Sequence, residues 1–363
     1  MPLLTRLLFA IGLLIIFEGC SKDRIGLTND EGKIFRYSNT PLEPGITYGS
    51  IYYSSSFNAF TDLAYFNGKW IAVFREGTAH ADNNPGRIKI VTSKDGNNWK
   101  VENVLSLDSV DLRDPKLMVD TIAKQLYITF FGRDLRPATD RFFRNYVVGY
   151  TDSVKMVNAK EILQDWPVSQ NYVIWRWTVL DHQSYAMAYR LATYTDTATN
   201  LCLTVADAGF KKHVIYKNIN LSEQPTETTL RFDKTKKMYL MIRLDGGSVR
   251  IGYSEPPYNK FTWMLNGGLP NLASPNFIIR DSLLIITGRT NEDQKFRFYI
   301  YNKSTMNIIK QMEFPGGYEV GYGGMSMNPA NKDELWISYY SIENGGLRTN
   351  IYLVKMNLRE VIK

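Results

Sequence analysis

Cysteine and histidine are scarce in this chain: of 363 residues, two are Cys and three are His. Two cysteines, Cys20 and Cys202, make no disulfide framework, and Cys202 inside the apolar run 201–205 reads as a small buried hydrophobe. No group of His, Cys, Asp or Glu has metal-ligand spacing, and no glycine-rich strand-to-helix turn offers a nucleotide site, so no metal or other cofactor is expected. Helical periodicity is nearly absent, which argues against the α classes and for an all-β molecule. Beyond the N-terminus no stretch is apolar enough to cross a bilayer. Runs of five or more basic residues are missing too, and basic and aromatic residues do not interleave along one element, so nucleic acid is not an expected partner. The net charge of +7, from 43 basic and 36 acidic residues, reads as a soluble surface with modest positive bias, with an anionic small substrate as the alternative. With 44% hydrophobic and 13% aromatic residues the chain has material for a sizeable core, and a monomer is expected.

The first nineteen residues look like an address. A single basic residue, Arg6, precedes the apolar stretch 7–17, which is too short to span a membrane and fits a secretory signal. Gly19 then stands directly before Cys20. The junction resembles the lipobox of bacterial lipoproteins, which implies acylation of Cys20, attachment to a membrane through that lipid, and residence in the cell envelope as an outer-membrane or periplasmic lipoprotein. An ordinary signal peptide or a short anchor is the alternative. The domain expectation is a signal over 1–19, a polar tether over 20–48 and one folded unit over 49–363.

What fills that unit is a phrase repeated six times: a short β-type run ending in arginine or tyrosine, at 70–75, 126–133, 185–190, 238–243, 283–289 and 335–340. The runs end on Arg75, Arg133, Arg190, Arg243, Arg289 and Tyr340. Each follows an earlier run that opens with its own polar residue: Asp62, Arg113 with Asp114, Arg176, Glu227, Asn276 and Tyr322. Copies lie roughly fifty residues apart, the length of a four-stranded propeller blade. If the paired runs are antiparallel neighbours, the start of the first and the end of the second share one sheet edge. The expectation is a six-bladed β-propeller of four-stranded antiparallel blades, with these polar groups, and Glu76 beside Arg75, gathered at one mouth. Asn67-Gly68 between alternating apolar residues marks the first hairpin. Trp175 and Trp177 flank Arg176, and the expectation is that one packs in the core while the other offers a flat stacking surface.

Ser93-Lys94-Asp95-Gly96-Asn97-Asn98-Trp99 has the form of an Asp-box, a brace between outer strands. With it, the phrases 227–232 and 241–243, 274–278 and 287–289, and 321–324 and 336–340 resemble stretches of the sialidase-like propeller superfamily over about 59–355. The resemblance implies an exo-acting glycoside hydrolase that removes a terminal acidic sugar from a glycan. It assigns Tyr322 as nucleophile, Glu227 as its base, and Arg243 and Arg289 as a carboxylate clamp. The acid would be Asp82, with His80 as its rival. An Arg-Ile-Pro motif that supplies a further clamp arginine in such enzymes is absent, since 60–63 reads Phe-Thr-Asp-Leu. Arg75, Arg113 or Arg133 would have to substitute, with Arg176, Arg190, Glu76 and Asn276 as further contacts for the sugar.

Two other readings use the same residues. Arg113-Asp114-Pro115 resembles a motif of five-bladed furanosidases, in which Asp62, Asp114 and Glu227 would form a carboxylate set. Alternatively, the groove binds a glycan without turning it over. Contact between Glu227 and the Tyr322 hydroxyl favours catalysis, and its absence favours binding.

Overall fold

The computed structural model describes residues 30, 32–81, 83–136, 143–151, 154–162, 172–190, 201–210, 213–219, 221, 223–265, 267–342 and 348–363. Alternating runs become strands throughout, and the pairings between consecutive strands are antiparallel. The first sheet is Phe57–Phe66, Lys69–Gly77, Arg87–Ser93 and Asn98–Leu105, with Ile34–Arg36 on its outer edge. Its first hairpin turns on Asn67 and Gly68, both at positive φ, 46° and 76°, as a two-residue turn matched to strand twist requires.

Val110–Asp120, Gln125–Asp134, Phe143–Gly149 and Lys160–Glu161 form the second sheet. In the third, Tyr172–Ile174 and Thr178–Leu180 both pair with Gln183–Arg190, which continues to Leu201–Ala206 and His213–Ile219. The fourth holds Gln224–Phe232, Met238–Asp245, Arg250–Ser254 and Thr262–Trp263; the fifth holds Leu272–Arg280, Leu283–Thr290, Phe296–Asn302 and Ile308–Glu313.

The last strands, Val320–Asn328, Asn331–Ile342 and Thr349–Asn357, do not find their fourth member downstream. They take Ile46–Tyr52 from the other end of the chain, followed by Thr40–Glu43. This corrects the expected tether: its described part from Ile34 onward contributes strands to the sheets, because Thr349–Asn357 would otherwise present a bare edge. A parallel pair, Thr349 with Phe57, joins this group to the first sheet.

Apolar residues that alternate along the strands are buried between neighbouring sheets. Ile71, Val73 and Ile88 meet Val110, Leu126 and Ile128; Val147 and Met118 meet Ile174 and Ala186; Val173 and Met187 meet Leu230 and Leu240. Met241 and Ile251 meet Phe277 and Ile286, Ile285 and Phe298 meet Leu335 and Ile337, and Trp336 and Tyr340 meet Phe60 and Trp70. The last cluster returns to the first sheet. First strands touch in the same succession: Phe57–Phe66 with Val110–Asp120, then Thr178–Leu180, Gln224–Phe232, Leu272–Arg280, Val320–Asn328 and back to Phe57–Phe66.

The Asp-box is a local brace, as expected. Asp95 Oδ1 accepts from the amides of Asn97 and Asn98, each at 2.8 Å, which hold its carboxyl below the usual range. Ser93 Oγ accepts from the Gly96 amide at 2.8 Å, and Trp99 is fully buried. Gly96 (φ 70°) lies under Trp336, which stacks on Trp70 at 3.7 Å between centroids, so the turn clamps the last strands onto the first sheet.

Candidate active site

Five of the first strands carry a bulge near their start, with two residues set against one on the neighbouring strand: 60–61, 114–115, 226–227, 274–275 and 322–323. In the third sheet the strand is interrupted at 175–177 instead. A bulge re-aims side chains that strict alternation would send to the sheet faces. Phe60 (φ 61°), Asp114 (48°), Ser274 (50°) and Tyr322 (55°) all take the left-handed conformation. For an aspartate this is tolerable; for a bulky Phe or Tyr it is strained by about 1–3 kcal/mol, strain that clusters at working sites. Repetition of this device brings residues up to about 260 positions apart to one level of the molecule.

At that level, the Tyr322 hydroxyl donates to Glu227 Oε1 at 2.6 Å. Arg243 Nη1 lies 2.9 Å from the other oxygen, and its Nη2 reaches Asp245 at 3.2 Å. Ser274 ties the bulges together: its amide donates to Glu227 Oε2 at 2.7 Å while its Oγ accepts from the Tyr322 amide at 3.0 Å. Asn276 Nδ2 donates to Gly323 O at 2.7 Å and fixes the residue after Tyr322. Burial works to raise the Glu227 pKa, but Arg243, the Tyr322 hydroxyl and the Ser274 amide hold it below the ordinary range. Burial, then the charges of Glu227 and Asp114, push the Tyr322 phenol well above its usual value. The pair is therefore a neutral phenol hydrogen-bonded to an ionised carboxylate, the arrangement of a hydroxyl nucleophile and its base.

Aromatic rings wall this centre. Phe60 meets Tyr322 edge-on at 4.7 Å and His80 at 5.0 Å, and Trp175 and Tyr340 each lie 6.0 Å from Tyr322. Lys116 is buried beneath them, its ammonium 4.4 Å from the Trp175 ring and 5.5 Å from that of Tyr322. Burial lowers its pKa to about 8, against the pull of Asp114. His80 Nδ1 lies 3.2 Å from Glu319 Oε2, and His80, then burial working the other way, then Arg289 act on Glu319, whose carboxyl is held low. Arg289 projects here as well. Among the described residues no side-chain hydrogen bond or ion pair involves it, and its Nε is buried without a partner. Asp114 Oδ1, Tyr340 Oη and Arg243 Nε are likewise buried and unpartnered, a convergence of unspent polar groups that marks a site for a polar ligand.

Other sequence candidates sit elsewhere. Arg75 is fully buried on Asp111, with Nε to Oδ1 at 2.7 Å, and ties the first sheet to the second, while Glu76 is buried against Lys89 at 2.9 Å and Arg87 at 2.6 Å within the first, so both are engaged in holding the fold. Asp62 accepts from the Leu117 amide at 2.8 Å and from Arg176 Nη1 at 2.6 Å, a buried pair linking three sheets. The carboxylate set of Asp62, Asp114 and Glu227 is thereby broken up. Arg113 is the arginine that approaches the place of the missing motif, its guanidinium 5.0 Å from the Phe60 ring. Its Nη1 bonds Asp111 and its Nη2 the His80 carbonyl, both at 3.1 Å. Burial opposes the effect, but Asp114 and Asp111 hold its pKa above the ordinary value. Arg133 and Arg190 stand at strand ends, in register with Asp111 and Tyr172. Both tryptophans flanking Arg176 are buried: Trp177 packs on Phe210, and Trp175 faces Tyr322. Asp82 and Cys20 lie outside the described residues.

Sequence reasoning missed Asp111, Lys116, Ser274 and Glu319. Ser274 and Glu319 stand within a few residues of Asn276 and Tyr322, but no spacing rule singles them out.

No family model matches the chain, and no curated protein matches it. Solved structures do. A protein of unknown function from Dyadobacter fermentans superposes with a TM-score of 0.71 at 16% identity, over 87% of this chain and 100% of that one. A Hadza microbial sialidase gives 0.66 at 10% identity, over 85% and 67%. The Trypanosoma rangeli sialidase, solved as a covalent intermediate with 2,3-difluorosialic acid, gives 0.66 at 10% identity over 92% of this chain. The fold is that of a sialidase-like β-propeller. This propeller spans 58% of the length of the trypanosomal enzyme. In this chain, the bulged first strands carry Glu227 and Tyr322, the second strands carry Arg243 and Arg289, and the Asp-box joins two outer strands.

Proposed function

We propose that this chain is a six-bladed propeller acting as a retaining exo-glycosidase on a terminal acidic sugar. Six inter-sheet clusters and the return of the contacts to the first sheet support the blade count. The observation that carries the activity is the 2.6 Å bond from Tyr322 to Glu227, with Arg243 on the second carboxylate oxygen. Tyr322 Oη attacks the anomeric carbon as its proton passes to Glu227, and the bond to the leaving oxygen breaks. A neutral phenol meets no repulsion from an anionic sugar. Arg289, unpartnered, and Arg243 hold the sugar carboxylate by charge-assisted hydrogen bonds. Water then displaces the sugar from Tyr322, whose oxygen recovers its proton from Glu227. The covalent intermediate of the trypanosomal neighbour is in keeping with such a two-step course.

The sugar is tested by a panel of sialosides, uronides and neutral aryl glycosides, alongside mass spectrometry of the protein after a 2,3-difluoro analogue of the cleaved sugar. Turnover of an acidic glycoside, with label on Tyr322 and none in Tyr322→Phe, is the expected result. Binding without turnover across the panel would make the protein a glycan-binding module. Export and acylation at Cys20 belong to the same proposal, and loss of lipid labelling in Cys20→Ala tests them.

A further inference from the structure

Asp114 has no part in the steps above, yet its strand neighbours Arg113 and Lys116 stand against Phe60 and Tyr322. It occupies the bulge of Val110–Asp120 at φ 48°, is 7% exposed, and its Oδ1 is buried with no partner among the described residues. Lys116 donates to the Asp114 backbone carbonyl at 3.3 Å, not to the carboxylate, while reaching to 5.5 Å from the Tyr322 ring. Arg113, beside it, covers Phe60. The groups that act on Asp114 are Lys116 and Arg113 from its own strand, Glu227 from the fourth sheet and His80 from the loop after Lys69–Gly77; Tyr322, Tyr340 and Tyr189 feel its charge in turn. Burial outweighs the two cations and pushes the carboxyl up, whereas Glu227, with three partners, is held down. Two carboxyl groups driven apart in this way divide into an acid and a base.

We propose that Asp114 is the proton donor to the leaving group, the role that resemblance had given to Asp82. The assignment rests on the glycosidase reading. As Tyr322 bonds to the anomeric carbon and the glycosidic C–O bond breaks, the Asp114 proton goes to the departing oxygen. In the second step, the Asp114 carboxylate takes a proton from the attacking water, and the acid is restored as the sugar leaves Tyr322.

Asp114→Asn tests this without disturbing the backbone, since asparagine tolerates the left-handed conformation and matches the neutral carboxyl in shape and charge. Wild type, Asp114→Asn, Asp82→Asn and His80→Gln are compared on two glycosides of one sugar, one with a nitrophenyl and one with a sugar leaving group. In Asp114→Asn, kcat/KM falls by roughly 10²–10⁴ on the poor leaving group and far less on the nitrophenyl glycoside, and the high-pH limb of the rate profile disappears. Infrared difference spectra of wild type against Asp114→Asn show a protonated carboxyl near neutral pH. Equal losses on both glycosides, a leaving-group dependence that appears in Asp82→Asn or His80→Gln instead, or an ionised Asp114 in the infrared would each overturn the assignment. A wild type that cleaves neither glycoside defeats the glycosidase reading, and this role falls with it.

Discussion

Arg243 and Glu227 form the ion pair on which the site is built, and its strength can be worked out. Glu227 is 5% exposed and Arg243 sits at 2.9 Å with 23% of its side chain exposed. Removing one partner of a buried pair costs about 3–5 kcal/mol, mostly because the other charge is left unpaired. In Arg243→Met, Glu227 keeps the Tyr322 hydroxyl and the Ser274 amide, so the loss lies at the low end, about 3 kcal/mol. Glu227→Gln leaves Arg243 on Asp245 at 3.2 Å, in a wetter place, and costs about 1–2 kcal/mol. The double variant buries no lone charge and costs less than the sum, giving a coupling of about 2 kcal/mol. Urea denaturation of the four proteins measures it. The pH dependence supplies a second reading. Because the folded Glu227 pKa is depressed, its stabilisation is fully present above the unfolded value and is lost as pH falls through the folded one. In Arg243→Met that loss moves to higher pH. Single effects that simply add, with no shift of the acid limb, would show that the pair contributes nothing.

Arg289→Met removes no ion pair from the fold, so stability should change by less than about 0.5 kcal/mol, while KM for an acidic glycoside rises roughly 10–100-fold, equivalent to about 1.5–3 kcal/mol of charge-assisted bonding. Equal effects on acidic and neutral glycosides would contradict the clamp. Lys116, its pKa lowered by burial from 10.5 to about 8, binds its proton less tightly when folded. Stability therefore rises with pH between about 8 and 10.5; denaturation of Lys116→Met across that range should lack this rise. Gly96→Ala would set a Cβ within 1.9 Å of the Trp336 ring at a backbone φ of 70°, and a loss of about 1–3 kcal/mol is expected. An unchanged denaturation midpoint would show that the Asp-box turn does not hold the last strands to the first sheet.

The hairpins, the Asp-box and the order of the polar residues were all legible in the chain, because alternation, turn chemistry and side-chain capping act between residues a few positions apart. Asn67-Gly68 and Ser93 to Trp99 behave as their local sequence demands. The pairing of Tyr322 with Glu227 was expected from resemblance, and the distance between them is a property of the fold.

Other features had no local signature. Arg75 and Glu76 belong to the same repeated phrase as Arg243 and Arg289, yet buried partners from other segments, Asp111 and Lys89, claim them. Asp62 pairs with Arg176 across 114 residues, and Ile46–Tyr52 closes a sheet begun almost three hundred residues later. The sequence alone determined the strands of the repeated phrase and which residue types are on offer, but not that the segment from Ile34 to Tyr52 joins the sheets. Tertiary structure decided which charges neutralise one another and which, like Arg289 and Asp114, keep a buried polar atom without a partner among the described residues. The reason is that bulge position and ion-pair choice depend on what the neighbouring sheet presents, and that neighbour is assembled from distant chain.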